Sequence, residues 1–284
     1  MRRIEERQGV LSATPMLAVM LLIFVAPLLV VAAFAFMPPR VFDLAHLPSF
    51  ENFRIFIEQG YYASLLWSLG MAFLATLLLF LLCYPLAYGM AKVFGRFSLV
   101  ITIAVVVTLF VSENIRLFGW VLTLMKGGLL LGHLKAWTGL DFDGLLYNET
   151  VIVLGLAYAY FPFMLFPLAQ GVSMVPDDVR QAASDLGASR WRILWEIDLP
   201  LAMPGIMVGS LLTFVLAAGA MAESKLLGGQ AVIVMADEIE TAFTYGQNWP
   251  LGSALALILI LIIGGLAIFA LSRIDLDGIM GRGR

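Results

Sequence analysis

Six long runs of uncharged, mostly apolar residues dominate the sequence. A helix needs about 20 such residues to cross the ~30 Å hydrocarbon core of a membrane. Because lipid offers the backbone no hydrogen-bond partner, a run of this kind crosses as a helix, which pairs its own peptide groups. We therefore expect an all-α integral membrane protein, one helical domain with six transmembrane helices. The predicted spans lie at about residues 16–37, 63–91, 97–120, 150–175, 199–222 and 251–272.

The third span is the least regular, since only residues 97–112 are free of charge. We expect its helix to continue through Glu113 towards Trp120. Glu113 and Arg116 are three residues apart, so they share one face of that helix and can pair. A charge at membrane depth is costly unless it faces a partner or a water-filled cavity. These two residues therefore lie either near a transport pathway or a second subunit, or at the outer membrane boundary.

Composition excludes several functions. Charged residues make up 13% of the chain, against roughly 25% in a soluble domain. The net charge of −3 is too small to indicate a nucleic-acid partner. The single Cys83 and two distant histidines, His46 and His133, indicate no metal site and no catalytic cluster. There is no GxxxxGK motif, so if ATP and Mg²⁺ drive this protein, another polypeptide binds them. We predict no catalytic residue, metal ligand or bound cofactor in this chain.

Lysine and arginine are unevenly divided between the two sides of the predicted membrane. Basic residues are enriched in the short cytoplasmic loops of membrane proteins. The side shared by both termini carries eleven of the 17: Arg2, Arg3, Arg7, Lys92, Arg96, Arg180, Arg190, Arg192, Arg273, Arg282 and Arg284. The opposite side carries Arg40, Arg54, Arg116, Lys126, Lys135 and Lys225, spread over longer loops. We expect a multi-pass protein of the cell inner membrane, surrounded by lipid, with both termini cytoplasmic.

A polar stretch at residues 176–198, between the fourth and fifth spans, predicts a cytoplasmic helix–turn–helix. Asp177 is a plausible N-cap, Gly187 suits the left-handed residue that ends a helix, and Ser189 can cap a second helix. Apolar residues follow helical spacing on the first helix, with Arg180, Gln181, Ser184 and Asp185 predicted on the other face. The apolar members are Val179, Ala182, Ala183 and Leu186, followed on the second helix by Trp191, Leu194 and Trp195. This amphipathicity suits either a helix lying among lipid headgroups or a docking surface for a protein.

The same stretch resembles the EAA motif of ATP-binding-cassette (ABC) importer permeases, which reads E-A-A, three residues, G, nine residues, I-x-L-P. The positions that match in register are Ala182, Ala183, Gly187, Ile197, Leu199 and Pro200. Gln181 stands where the motif has its glutamate, and Asp185 lies within the motif. Further stretches are similar to permeases of the spermidine/putrescine importer group. They are residues 50–53, 84–88, Arg116 with Trp120, 226–229 and 248–254.

The resemblance implies the fold and assembly of a type I ABC importer. Such a permease forms half of the translocation pathway and pairs with a second permease. Two partner ATPase subunits hold ATP and Mg²⁺, and each receives one EAA loop as a coupling helix. An extracytoplasmic substrate-binding protein delivers a small organic solute, here one such as a polyamine. The residues implied in ATPase coupling are Gln181, Ala182, Ala183, Asp185, Gly187, Ile197, Leu199 and Pro200.

The predicted last outer loop, residues 223–250, carries an acidic group. Asp237, Glu238 and Glu240 lie where a cationic substrate or a basic face of the binding protein would arrive. Equally, they suit an ordinary solvated loop, in which exposed charges contribute little.

Two other functions remain open on the residues alone. A self-sufficient secondary transporter would have inverted repeats and ionisable groups near the bilayer centre, and apart from Glu113 and Arg116 the spans lack such groups. An integral membrane enzyme would have a cluster of His, Asp or Glu at one membrane face, which the two histidines do not form. Co-purification of an ATPase and a second permease would distinguish an importer subunit from both.

Overall fold

The computed structural model of the chain describes residues 14–41, 43, 48–139 and 144–272. Within these ranges the regular structure is helical, as expected for the all-α class. His46 and the terminal arginines used to predict orientation, at positions 2, 3, 7, 273, 282 and 284, lie outside the described residues. The cytoplasmic placement of both termini therefore stays a prediction.

Helices follow one another with short connections. In chain order they are α1 (Thr14–Ala35), α2 (Glu51–Glu58), α3 (Tyr61–Val93), α4 (Phe97–Leu109), α5 (Glu113–Leu124), α6 (Leu129–Thr138), α7 (Glu149–Ser173), α8 (Asp177–Asp185), α9 (Arg190–Leu201), α10 (Met203–Ala218), α11 (Ala222–Leu226), α12 (Met235–Thr244) and α13 (Trp249–Ser272).

Five stretches of the described chain are long and apolar enough to cross a membrane. They are α1, α3, α5 with α6, α7 and α13. The pair α9 and α10 is a sixth candidate if it is taken as one span, bent by 69°. The break falls at Ala202, between Pro200 and Pro204. Neither proline can donate a ladder hydrogen bond, which explains why the helix is interrupted between them.

The expectation of one continuous third helix over residues 97–120 is wrong. The helix α4 has 13 residues, which span roughly 20 Å and do not cross the bilayer alone. A new helix begins at Glu113 because Ser112 takes extended backbone, with φ −53° and ψ 138°. That backbone is typical of the residue before a helix, and a carboxylate in the first turn complements the positive end of the helix dipole.

The described residues divide into two compact units. The first unit contains the described residues up to Tyr62 and the segment Met235–Leu261. The second unit contains the described residues of Ala63–Val234 and those from Ile262 onward. In the first unit, the amide of the buried Asn52 donates hydrogen bonds to the carbonyls of Ala35 (3.1 Å) and Met37 (2.7 Å). These bonds join α2 to the end of α1. The single-domain expectation stays a prediction.

In the second unit, α10 packs along α7 through a close crossing of two glycines. A Cβ added at Gly205 would lie 2.3 Å from the carbonyl oxygen of Pro167 and 2.6 Å from Cα of Gly171. Small residues of this kind let membrane helices approach to backbone contact. The crossing therefore holds the start of α10 against the C-terminal half of α7.

We expect Gly205→Ala to destabilise the protein, because its methyl group would meet rigid backbone. Overpacking of this kind costs about 1–3 kcal/mol and lowers the thermal midpoint by several degrees. Gly70→Ala is the matched control, since nothing lies within 4 Å of a Cβ at that helical position. Thermal unfolding of the purified protein would measure both variants. Equal midpoints would contradict the close crossing.

Candidate functional site

The turn between α8 and α9 has the geometry that the sequence predicts. Gly187 has φ +80°, in the left-handed region. Its N–H donates to the Ser184 carbonyl (2.9 Å), and the Ala188 N–H donates to the Ala183 carbonyl (3.0 Å). This pair of bonds is the Schellman motif, which satisfies the last carbonyls of a helix. The Ser189 hydroxyl then accepts a hydrogen bond from the Arg192 N–H (3.3 Å) and caps the start of α9. The predicted end of α8 at Gly187 and the predicted cap of the next helix at Ser189 are therefore both confirmed.

The prediction that Asp177 caps α8 is wrong. The helix begins at Asp177 itself, with Pro176 in the capping position and no side-chain cap. The Asp177 carboxylate instead lies 2.9 Å from Nζ of Lys92, at the C-terminal end of α3. An opposite charge within direct reach is a better partner for a carboxylate than a capping N–H.

Lys92 joins α3 to two other elements. Besides Asp177, its ammonium group donates to the carbonyl of Val175 (2.6 Å), just after the end of α7. The last carbonyls of a helix have no intrahelical partner, and a cation beside them is favourable. Only 10% of the Lys92 side chain is exposed. Lys92 was one of the eleven basic residues used to predict the orientation in the membrane, but its side chain is buried against the protein.

Arg180, predicted on the face of α8 opposite the apolar stripe, also points inward. Its Nε lies 2.9 Å from Oδ1 of Asp198 on α9. Its guanidinium carbon is 4.9 Å from the centre of the Tyr88 ring on α3. The Arg180 Nη2–H donates a hydrogen bond to the Tyr88 hydroxyl. The aromatic face and the carboxylate together replace the water that a guanidinium would lose on burial.

Asp198 is the most buried member of this group, with 5% of its side chain exposed. Burial raises the pKa of its carboxyl, and the nearby Arg180 and Lys92 act against that rise. We call these four residues, Lys92, Asp177, Arg180 and Asp198, the latch. The latch connects α3, the end of α7, α8 and α9 by charged contacts, and three of its four side chains are largely hidden from solvent, Asp177 being the exposed one.

The opposite side of α8 and α9 carries large apolar side chains in solvent. Leu186 is 90% exposed, Trp191 72% and Trp195 66%. We call Asp177–Leu201 the coupling element, and these three side chains its apolar face. Gln181, Ala182, Asp185 and Gly187 are also exposed, and Ala183 is half-buried. The large apolar side chains therefore face outward, whereas Arg180 alone of the predicted polar face turns inward, towards the latch.

The rest of the motif lies closer to the core. Ile197 packs against a buried cluster formed by Val172, Val175 and Ala202. Leu199 is half-buried, whereas Pro200 is exposed in the last turn of α9. The two halves of the motif therefore differ in position: the first presents a surface, and the second anchors it to the fourth span.

The predicted pairing of Glu113 with Arg116 is not what the described residues form. The Arg116 guanidinium lies over the Tyr158 ring, 5.6 Å from its centre, and Arg116 Nε has no hydrogen-bond acceptor. Glu113 instead neighbours Glu223, a buried carboxyl on α11 that the sequence did not single out. The sequence placed Glu223 in a loop, so no periodicity pointed to its burial.

The acidic group of the predicted outer loop lies on a helix. Asp237, Glu238 and Glu240 belong to α12, where Asp237 is buried and the other two are half-buried. An irregular, solvated loop is therefore the wrong description of this segment. A part for these residues in binding a substrate or a binding protein stays a prediction.

Membrane-crossing helices joined to an anchored, outward-facing pair of short helices indicate a permease subunit of an ABC importer. One solved structure has the same fold, with a TM-score of 0.75 over 96% of this chain and 98% of that one, at 19% sequence identity. It is a bacterial ABC transporter involved in the import of the acidic polysaccharide alginate. No protein-family model matches the chain.

Sequence relatives define the family more closely. The permease protein PotB of the spermidine/putrescine transport system of Haemophilus influenzae is 32% identical over 203 residues, covering 69% of each chain. Its Escherichia coli counterpart is 30% identical over 216 residues, covering 75% of this chain and 78% of the relative. The Escherichia coli inner membrane ABC transporter permease YdcU is 29% identical over 228 residues, covering 75% and 72%. The chain belongs to the family of spermidine/putrescine transport system permease proteins.

The latch can be compared with an exposed ion pair of the same chemistry. Arg192 and Glu196 on α9 also lie 2.9 Å apart, but 66% and 61% of their side chains are exposed. Removing one partner of a buried pair costs about 3–5 kcal/mol, because the other charge is left unpaired. An exposed pair contributes below about 1 kcal/mol. We therefore expect Asp198→Asn to lower thermal stability far more than Glu196→Gln.

Thermal unfolding of the purified permease, followed by tryptophan fluorescence, measures this difference. Arg180→Gln combined with Asp198→Asn should cost less than the sum of the two single variants, since neither charge is then left alone. Equal losses from Asp198→Asn and Glu196→Gln, or strictly additive losses from the double variant, would rule out the latch as described.

Proposed function

We propose that this chain is one of two permeases in an inner-membrane importer of small polyamine-type cations, driven by ATP on separate subunits. In this arrangement the chain catalyses no reaction. Two partner ATPase subunits bind ATP and Mg²⁺, a second permease completes the pathway, and an extracytoplasmic binding protein delivers the solute. Both termini lie in the cytoplasm. Membership of the permease family, together with the coupling element, supports this assembly over a self-sufficient transporter or a membrane enzyme.

The observation that carries the coupling role is the apolar face of the coupling element. Leu186, Trp191 and Trp195 leave large apolar surfaces uncovered, and such patches on a protein usually mark an interaction site. Ala182 and Ala183 beside them are small, so the backbone of a partner can approach closely. Gln181 and Asp185 offer exposed polar groups at the edge, and Gly187 sets the angle between the two helices. We infer that a groove of the ATPase receives this element.

The substrate assignment rests on the relatives, not on the fold. The two PotB proteins are named for spermidine and putrescine, whereas the solved structure of the same fold serves an acidic polysaccharide. One scaffold thus accommodates solutes of opposite charge, because side chains along the pathway, not the fold, determine the substrate. A small organic cation is the solute that agrees with the sequence relatives.

A reconstituted importer would test both parts of the proposal. With the second permease, the ATPase and the binding protein in proteoliposomes, we expect spermidine to be accumulated and to accelerate ATP hydrolysis. Ala182→Asp should lower both by at least about tenfold, because a charge without a partner would enter a desolvated interface. The matched control is Ser184→Asp, which places the same charge on the same helix two residues along.

The outcomes separate the two claims. Accumulation of an anionic solute in place of spermidine would overturn the substrate assignment and leave the coupling role intact. Normal uptake and normal retention of the ATPase with Ala182→Asp would overturn the coupling role. A change in membrane association with the ATPase still bound would identify the element as a helix lying among headgroups.

A further inference from the structure

Glu223 is an unusual residue for the interior of a membrane protein. It is 1% exposed, and neither of its carboxylate oxygens accepts a hydrogen bond from the described part of the chain. A buried carboxylate without a donor is costly, since it has lost its water and gained nothing in exchange. Such a group is uncommon unless a ligand supplies the missing donors.

A second carboxyl adds to the shortage of hydrogen-bond donors around Glu223. Glu113, in the first turn of α5, lies within hydrogen-bond reach of the Glu223 carboxyl, and Arg116 is the neighbouring cation. Two carboxylates at this distance repel each other unless a proton or a cation lies between them. Arg116 does not resolve the repulsion, because its guanidinium lies over Tyr158 and its Nε makes no hydrogen bond. With both acids ionised, two acids and one base give the group a net charge of −1, which a bound cation or a shared proton would neutralise.

The surrounding packing fixes Glu223 in place. On α7, a Cβ at Gly155 would lie 2.4 Å from Leu227 Cδ1 and 3.3 Å from Glu223 Cγ, so α11 rests against the bare backbone there. The Leu227 carbonyl accepts from the Tyr147 N–H (2.8 Å), and Leu227 packs with Leu117 of α5 in a buried cluster. These contacts therefore hold the Glu223 side chain in a fixed position between α5, α7 and α11.

The chemistry of this position suits an ammonium group. Three His, Cys, Asp or Glu side chains do not come together anywhere in the described residues, so a metal ion would lack ligands here. A primary ammonium group carries three N–H donors and one positive charge, which match two acceptor-only carboxylates. A cavity of about 560 Å³ adjoins the group at Arg116, which lines it together with Trp120 and Tyr158. Its mostly apolar and aromatic wall suits an alkyl chain.

We propose that Glu223 and Glu113 bind a primary ammonium group of the transported solute, an alkyl amine carrying two or more positive charges. This inference rests on the proposed function. If α4 and α10 both start at the cytoplasmic face, Glu113 lies roughly 24 Å and Glu223 roughly 30 Å of helix rise from that face. The pair would thus meet the solute near the outer side of the membrane, where it arrives from the binding protein.

Zero-length cross-linking tests the contact directly. A membrane-permeant carbodiimide activates a carboxyl, which then couples to any primary amine that reaches it, and mass spectrometry identifies the modified peptide. With the complete wild-type importer and labelled spermidine, we expect attachment at Glu223 or Glu113 that saturates at the spermidine concentrations that saturate uptake. Glu149, an exposed acid in the first turn of α7, is the internal control, at which attachment should rise in proportion to the spermidine concentration.

Uptake measurements complete the test. Glu223→Gln and Glu113→Gln should each lower the rate of spermidine uptake by at least about tenfold, as expected when one charge of a desolvated pair is removed. Glu223→Asp, which keeps the charge, should retain more uptake than Glu223→Gln, and Glu149→Gln should match the wild type.

Each other outcome counts against a defined claim. If the wild type takes up spermidine but the two Gln variants match it, or if attachment at Glu223 and Glu113 rises with spermidine concentration without saturating, as at Glu149, the binding pair is wrong and the proposed function stands. If the wild-type importer takes up no polyamine, the proposed function itself fails and the inference falls with it.

Discussion

The buried ion pair between Arg180 and Asp198 is the contact on which the position of the coupling element depends. Either charge alone would be expensive to bury, so each residue requires the other to stay in place. Because Arg180 belongs to α8 and Asp198 to α9, the pair fixes the angle between the two short helices. Tyr88 under the guanidinium and Lys92 beside Asp177 extend the same constraint to α3.

This constraint explains how short helices could act on long ones. The coupling element has few buried residues of its own, and its apolar face points away from the protein. Without the latch, a force on that face would tilt the element without moving the spans. With it, α8 and α9 are joined to the C-terminal ends of α3 and α7. The glycine crossing of Gly171 and Gly205 then brings α10 into the same block. A push on the surface would move these helices together.

The sequence predicted the features that depend on local chemistry. Run lengths placed most of the spans, and Gly187 and Ser189 marked the turn because backbone conformation and capping are properties of one or two residues. Contacts between distant elements were not predictable in this way. Nothing local shows that Arg180 finds a carboxylate 18 residues later, or that Lys92 reaches the carbonyl of Val175. The break before Glu113 and the burial of Glu223 were missed for a related reason. Hydropathy treats a charge as the end of a span or part of a loop, whereas tertiary packing buries Glu223 and half-buries Glu113.

The distance between α3 and α8 tests the central claim, that the latch makes the coupling element rigid with the spans. Spin labels at Val93, at the exposed end of α3, and at Asp178, on the exposed side of α8, would report this distance in the assembled importer. A rigid latch predicts the same distance distribution without nucleotide and with ATP bound, to within the ~1–2 Å of ordinary helix shifts. A change approaching one helical turn, about 5 Å, would show that the coupling element moves independently of the spans and would rule out the rigid connection.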